Sequence, residues 1–270
     1  MPETTDNAAT GQVNADAARI YDAFFVPALF AEWASPICDA AEIRPGDRVI
    51  DIACGTGVAA REAAKRSGGR GNVTGIDRNS GMLMVAQEQA PHIDWRDGRA
   101  EALHFDSGSF DVALCQFGLM FFEDRALALR EMRRVIGSGG RAVVAVWDRV
   151  ENSPGYAAMI DLIDRMFGHA AANALRAPFA LGELGELNSL FQQAGWNDAA
   201  INTRIGKARF DSITEWVSMD VRGWTLADMI DNDQYDALVR AANEELVRFT
   251  GSDGTVTFAA PGHIIKLHRN

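Results

Sequence analysis

Residues 49–57 have the sequence Val-Ile-Asp-Ile-Ala-Cys-Gly-Thr-Gly, a short apolar strand followed by a turn of small residues. The strand is predicted to stop at the acidic Asp51, and a helix is predicted to begin at Val58. Glycine in such a turn lets the backbone press against a ligand, because a Cβ atom there would collide with it. The free N–H groups at the helix start then face whatever is bound. An acid before the turn disfavours a pyrophosphate, so the pattern predicts a site for a cationic or amino-bearing ligand.

Composition narrows the class of protein. The chain has 270 residues, is 47% hydrophobic and carries a formal net charge of −11 without a basic run to offset it, which argues against a nucleic-acid partner. Its apolar stretches are shorter than the roughly 18 residues of a membrane span. Its acidic, polar start is unlike a signal peptide, so a cytoplasmic location is predicted. The three cysteines, at positions 38, 54 and 115, lie far apart, so neither a disulfide framework nor a metal site is predicted.

Strands and helices alternate about five times between residues 48 and 147, which predicts an α/β fold with a doubly wound parallel sheet. Near the end of this region, a helix is predicted to begin at Arg125 and to end at Gly137–Gly140. Six parts are predicted along the chain: a disordered tail at 1–14, an aromatic-rich N-terminal helical segment at 15–45, a ligand-binding core at 46–150, helices and a sixth strand at 151–206, a helical lid insertion at 207–253 and a final strand at 254–270.

A second acid supports a nucleoside site. Asp77 ends the strand that follows the first helix and lies 20 residues beyond Gly57. In a doubly wound fold a carboxylate at the tip of the neighbouring strand reaches the ribose hydroxyls of a nucleoside bound across the switch point. Two vicinal hydroxyls are donors, and an ionised carboxylate accepts from both.

With these motifs the chain resembles the class I S-adenosylmethionine-dependent methyltransferases, and among them the small-molecule enzymes related to quinone-biosynthesis methyltransferases. The resemblance is carried by four segments, residues 51–57, 75–77, 98–103 and 110–119. It implies a mostly parallel, seven-stranded, Rossmann-like sheet, S-adenosyl-L-methionine as cofactor and a small-molecule acceptor. Two positions depart from the family pattern: Ala53 stands where glycine is usual, and Arg99 stands where an adenine-reading aspartate is usual. Asp97 or the backbone of residues 99 and 100 are the two candidates for reading the adenine instead.

The resemblance also implies roles for individual residues. Gly55 and Gly57 would allow close approach, Asp51 would position the ammonium group of the cofactor, and Asp77 would bind the ribose. The full set of cofactor-binding residues implied is Tyr21, Asp51, Ala53, Gly55, Thr56, Gly57, Asp77, Arg78, Met82, Gly98, Arg99, Ala100, Glu101, Gln116 and Phe117.

The acceptor side is less defined by sequence. Candidates for the substrate pocket are Trp33, Phe121, Trp147, Arg222 and Trp224, each weighed against a purely structural role. No catalytic residue is assigned, because displacement at a sulfonium requires alignment and exclusion of water rather than a protein nucleophile.

Two other functions fit parts of the pattern. Gly55-x-Gly57-x-x-Ala60 also matches the dinucleotide fingerprint of an NAD(P)-dependent oxidoreductase, although Asp51 is out of place there. The altered position 99 is compatible with a regulatory protein that binds S-adenosylmethionine without transferring its methyl group.

Overall fold

The computed structural model describes residues 15–68, 72–222, 226 and 229–270, so the disordered tail predicted at 1–14 and the pocket candidate Trp224 lie outside the described residues. The strands are β1 Val49–Ile52, β2 Val73–Asp77, β3 Asp94–Asp97, β4 Phe110–Gln116, β5 Ile136–Trp147, β6 Ala200–Phe210 and β7 Val256–His268. The α-helices are α1 Ala15–Ile20, α2 Ala31–Ala40, α3 Val58–Ser67, α4 Ser80–Gln89, α5 Arg125–Val135, α6 Pro154–Phe167, α7 His169–Arg176, α8 Leu184–Gln193, α9 Ile213–Arg222 and α10 Asn232–Glu245.

The strands form one sheet in the order β3-β2-β1-β4-β5-β7-β6. The first five of these are parallel, and β7 runs antiparallel to both β5 and β6. The chain order reverses between β1 and β4, which is the position where open α/β sheets bind ligands at the carboxyl ends of their strands. The predicted doubly wound, mostly parallel, seven-stranded sheet is therefore confirmed.

Burial explains why the central strands are nearly continuous apolar runs. Residues 49–52 of β1 and 142–147 of β5 are all buried, as expected for parallel strands covered by helices on both faces. Helices α4 and α5, which come after β2 and β4, begin at side-chain caps: the Asn79 side chain accepts from the Met82 N–H, and the Asp124 side chain accepts from the Leu127 N–H. These caps stabilise the first turn of each helix.

The N-terminal helical segment runs across this edge. Between α1 and α2, residues 21–30 form a π-helix that contains Pro27. Proline has no N–H to donate within a helix, and wide π turns commonly occur at functional sites. The segment brings Phe30 within 5.4 Å of Tyr21 and 5.9 Å of Trp147, measured between ring centroids.

Two boundaries between elements that were predicted from the sequence were wrong. Gly137–Gly140 do not end a helix but belong to β5, which begins at Ile136 opposite Phe110 and reaches Arg141 through a register shift. The lid does not begin at 207, because β6 continues to Phe210 with that residue buried and paired to Val256. Helix α7 falls within residues 151–206, the part in which helices and a sixth strand were predicted.

Candidate active site

The turn after β1 is held by the carboxylate of Asp77. One oxygen of Asp77 accepts from the Gly55 N–H at 2.8 Å, and the other accepts from the Asn79 N–H at 2.8 Å. The turn itself needs three positive φ angles, +56° at Ala53, +54° at Gly55 and +86° at Gly57. The sequence-based role of Asp77 as a ribose ligand thus omitted a second function, which is to shape the turn.

The two turn glycines face different surroundings. A Cβ atom at Gly55 would meet only the Tyr21 ring, at 3.9 Å, so this position faces open space. A Cβ at Gly57 would lie 2.3 Å from the Trp95 ring, and one at Gly75 also 2.3 Å from it. Gly57 is therefore required for packing against Trp95, whereas Gly55 borders the space a ligand would enter.

Buried polar atoms without hydrogen-bond partners among the described residues gather at this edge. They are both carboxylate oxygens of Asp51, the Thr56 hydroxyl, the Asn79 amide nitrogen and the Gln116 amide oxygen. The Gln116 nitrogen, in contrast, donates to the Phe30 carbonyl at 3.0 Å. Because buried polar groups in proteins are nearly always paired, such a cluster indicates a site whose partner is a polar ligand.

The electrostatics of the edge are acidic. Burial raises the pKa of Asp51 to about 7, with a smaller raising contribution from Asp77 and opposition from the Ala60 N–H. Burial also raises the pKa of Asp77, against the N–H groups of Asn79 and Gly55, which lower it. A bound cation would stabilise the ionised forms of both groups.

Tyr21 lies against the turn from the N-terminal segment. Its ring stacks on those of Phe25 and Phe30 and packs on a small apolar cluster that contains Met82. Burial, and next the negative charge of Asp77, raise the pKa of the Tyr21 hydroxyl, which places the hydroxyl in the same field as the acidic edge. That Tyr21 and Met82 border the cofactor stays a prediction.

The Arg99 side chain forms ion pairs and does not stand in for the adenine-reading aspartate that is usual at this position. Its guanidinium donates to Glu123 at 2.7 Å and lies 3.6 Å from Glu101, and Glu123 also accepts from Arg78 at 3.4 Å. The Gly98 N–H donates to the Asp77 carbonyl at 3.1 Å. The backbone at Gly98 is thus fixed beside the end of β2, while the Arg99 side chain takes part in a surface ion network.

A second region adjoins this edge on the lid side. It is an apolar pocket with about 480 Å³ of empty space, part of it open to solvent, lined by Phe25, Leu29, Phe30, Trp147, Tyr156, Leu175, Pro178, Phe179, Asp220 and Ala260. Phe117, with a φ of +54°, stacks on Trp147 at 3.9 Å between ring centroids and connects the pocket to the end of β4.

Of the predicted pocket residues that the structure describes, only Trp147 lines this space. Trp33 is fully buried behind it, where its ring fills the room left by Gly206 and Gly262. The exposed Arg222 stacks on Tyr235 with 3.9 Å between guanidinium carbon and ring centroid. Phe121, in a short 3₁₀ turn after β4, is not among the lining residues. Asp220 was missed because a single acid on an amphipathic helix gives no sequence signal.

No group of three or more His, Cys, Asp or Glu side chains that could hold a metal ion occurs in the part of the chain that the structure describes. In the same part, no helix combines the length and hydrophobicity needed to cross a membrane.

The sequence comparisons agree with the geometry. Residues 50–144 match the family model described as a methyltransferase domain. The ubiquinone/menaquinone biosynthesis C-methyltransferase UbiE of Stenotrophomonas maltophilia is 36% identical over 149 residues, which cover 52% of this chain and 59% of that protein. The 2-phytyl-1,4-naphtoquinone methyltransferase of Synechococcus elongatus is 39% identical over 107 residues, which cover 37% of this chain and 46% of that enzyme. The chain thus spans about half the length of these curated relatives.

Solved structures show the same fold. The YcgJ protein of Bacillus subtilis superposes with a TM-score of 0.60 at 21% identity, covering 88% of this chain and 98% of that one. Phosphoethanolamine N-methyltransferase 2 of Haemonchus contortus, solved with S-adenosyl-L-methionine, superposes with a TM-score of 0.62 at 16% identity, covering all of this chain and 61% of that one. The resemblance to class I S-adenosylmethionine-dependent methyltransferases of the quinone-biosynthesis type is confirmed.

Proposed function

We propose that this protein is an S-adenosylmethionine-dependent methyltransferase that acts on a small, largely apolar acceptor. The observation that carries the proposal is the cluster of unpartnered buried polar atoms around Asp51 and Gln116, next to an aromatic pocket on the same side of the sheet. Relatives named as methyltransferases of quinones support an acceptor that contains a ring. The cytoplasmic location predicted from the sequence is kept as part of this proposal.

The residues at the carboxyl edge fit the cofactor. Asp51 has two free oxygens for an ammonium group, Gly55 leaves room above the turn, and Asp77 stands at the tip of the neighbouring strand. The fuller set of cofactor-binding residues predicted from the sequence, from Tyr21 to Phe117, belongs to the same proposal. When bound, S-adenosylmethionine would supply an electrophilic methyl group on a positively charged sulfur.

The chain contributes alignment and a dry environment rather than a nucleophile. Rings from the π-helix, β5 and α6 surround the acceptor pocket, and Phe117 and Trp147 form its stacked wall toward the cofactor edge. Aromatic faces stabilise a nearby cation by about 1 kcal/mol, more where water is excluded. Excluding water also favours transfer to the acceptor over hydrolysis.

Binding and transfer are tested separately. Calorimetric titration with S-adenosylmethionine and with S-adenosylhomocysteine should show one site per chain, and absence of binding at millimolar concentration would end the proposal. Incubation with cofactor labelled in the methyl group and a panel of hydroxylated and aminated ring compounds should then give labelled product. Binding without any transfer would favour the regulatory protein instead.

The oxidoreductase alternative has its own readout. An enhanced fluorescence of reduced nicotinamide cofactor on binding, with no heat from S-adenosylhomocysteine, would revive it. We expect the opposite, because the buried acid Asp51 directly below the turn would repel a pyrophosphate.

A further inference from the structure

Among the described residues that line the acceptor pocket there is one carboxyl group, and no role described so far uses it. Asp220, on α9 of the lid, is only 3% exposed and is the single charged residue among those lining the pocket. Its Oδ2 atom is buried and has no hydrogen-bond partner in the described part of the chain. A buried carboxyl oxygen without a partner destabilises the folded state, so its presence on a helix that faces a cavity points to a ligand.

Among the described residues, no cation is near enough to Asp220 to shift its pKa. The neighbouring titratable group is Tyr156 on α6, and the aromatic side chain beside it on α9 is Trp216. The other lining residues, from the π-helix, β5, α7, the turn at 177–179 and β7, are apolar. Burial raises the pKa of Asp220 to about 8, with the Trp216 side chain lowering it slightly, and burial raises the pKa of Tyr156 as well, with the charge of Asp220 as its next cause. The pocket thus presents one hydrogen-bonding carboxyl in an aromatic enclosure.

On the basis of the proposed function, we infer that Asp220 is the residue that binds and orients the acceptor, by a hydrogen bond to a hydroxyl on an otherwise apolar ring compound. A hydroxyl fits better than the alternatives because it both donates and accepts. It can pair with the carboxyl in either protonation state, whereas a ligand carbonyl loses its donor when Asp220 ionises. An ammonium group would require full ionisation in an apolar pocket, next to a site proposed to hold another cation.

The inference is tested by binding of matched probes to protein saturated with S-adenosylhomocysteine. The probes are 2-naphthol, 2-methylnaphthalene, in which a methyl group replaces the hydroxyl, and 2-naphthylmethylamine, which is an ammonium ion at neutral pH. We expect 2-naphthol to bind about tenfold more tightly than 2-methylnaphthalene. Asp220→Ala should reduce this ratio to near one, and Asp220→Asn, which keeps a donor and an acceptor, should retain part of it.

Two controls separate Asp220 from general damage. Leu175→Trp, which fills the pocket, should weaken all three probes while leaving S-adenosylhomocysteine affinity unchanged. Circular dichroism and S-adenosylhomocysteine affinity of each variant report whether the fold and the cofactor edge are intact.

Three results would overturn the inference. They are tighter binding of 2-naphthylmethylamine than of 2-naphthol, a hydroxyl preference that survives in Asp220→Ala, and failure of the wild type to bind 2-naphthol below millimolar concentration. Because every titration begins from a cofactor-bound protein, these failures are distinct from failure of the proposed function, which would appear as absence of S-adenosylhomocysteine binding.

Discussion

The carboxyl edge of β1 and β2 and the lid-side pocket are adjacent, yet they are built in different ways. The edge is polar and is held by short backbone hydrogen bonds to Asp77. The pocket is apolar, is assembled from seven separate elements, and has Asp220 as the only charged residue among the described ones that line it. A strand-to-helix turn can bind one fixed cofactor, whereas a surface assembled from distant elements can change its acceptor without disturbing the fold.

The largest expected effect comes from comparing the two glycines of the turn, since Gly57 packs against Trp95 whereas Gly55 borders the space for a ligand. Gly57→Ala should lower the free energy of unfolding by about 3 kcal/mol, because its Cβ would overlap Trp95 and a positive φ adds strain. Gly55→Ala should lower the free energy of unfolding by only about 1 kcal/mol but should weaken S-adenosylhomocysteine binding severely. Urea unfolding and calorimetry of both variants measure the two effects, and equal stability losses would show that the two glycines do not differ.

Asp77→Ala should weaken cofactor binding by about 1–3 kcal/mol, since a buried acceptor is lost together with the support of the turn. The matched control is Asp97→Ala, because Asp97 is the register partner of Asp77 on the edge strand β3 and is exposed. Calorimetry on the two variants is sufficient. If Asp97→Ala weakens cofactor binding as much as Asp77→Ala does, Asp97 would be the residue that reads the adenine. Unchanged cofactor affinity in Asp77→Ala would mean that the ribose does not bind beside Asp77.

In the pocket, the expected effect depends on pH. The pKa of Asp220 is raised to about 8, so the folded protein keeps a proton there that the unfolded chain releases near its ordinary pKa. This stabilisation of the folded state is fully present below about pH 4 and is lost as pH rises through about 8. Asp220→Asn should therefore be more stable than the wild type by about 1–2 kcal/mol at pH 8, and this advantage should shrink toward pH 5.

Urea unfolding at several pH values tests this sign, with Asp161→Asn on the exposed side of α6 as control. A destabilised Asp220→Asn at pH 8 would mean that the carboxylate has a partner in the folded protein, which contradicts the pocket described above.

Burial raises the pKa of Asp51 to about 7 for the same reason, so binding of an ammonium group there should release protons between pH 6 and 7.

The smallest effect concerns the family departure at position 53. Ala53 has a φ of +56°, a conformation that costs a residue with a Cβ about 1 kcal/mol relative to glycine. Ala53→Gly should therefore stabilise the protein by up to about 1 kcal/mol or be neutral once backbone entropy is included. Ala59→Gly, inside α3, should instead destabilise by a similar amount, and thermal unfolding of both variants compares them.

The amino-acid sequence predicted those features that depend on residues close to one another along the chain. The turn at 51–57 and the acid at Asp77 predicted the sheet and its switch point, because a strand, a turn and a helix start are set by neighbouring residues. The positions of Trp95 behind Gly57 and of Glu123 beside Arg99 could not be predicted, since each depends on contacts between distant segments.

The pocket was mostly missed for the same reason. Trp33 and Arg222 are conspicuous in the sequence but pack elsewhere, while Asp220 and Tyr156 meet only after α6 and α9 cover the sheet. The error at Gly137–Gly140 is of a different kind: a glycine-rich stretch ordinarily ends a helix, but here strand pairing extends the hydrogen bonds of β5 across part of it.

The most direct test of the account is a crystal structure of the protein with S-adenosylhomocysteine. We expect the ribose hydroxyls within hydrogen-bonding distance of Asp77, the ammonium group beside Asp51 and the sulfur facing the wall of Phe117 and Trp147. A nucleoside bound away from the carboxyl ends of β1 and β2, with the Asp51 carboxylate still unpaired, would contradict the central claim.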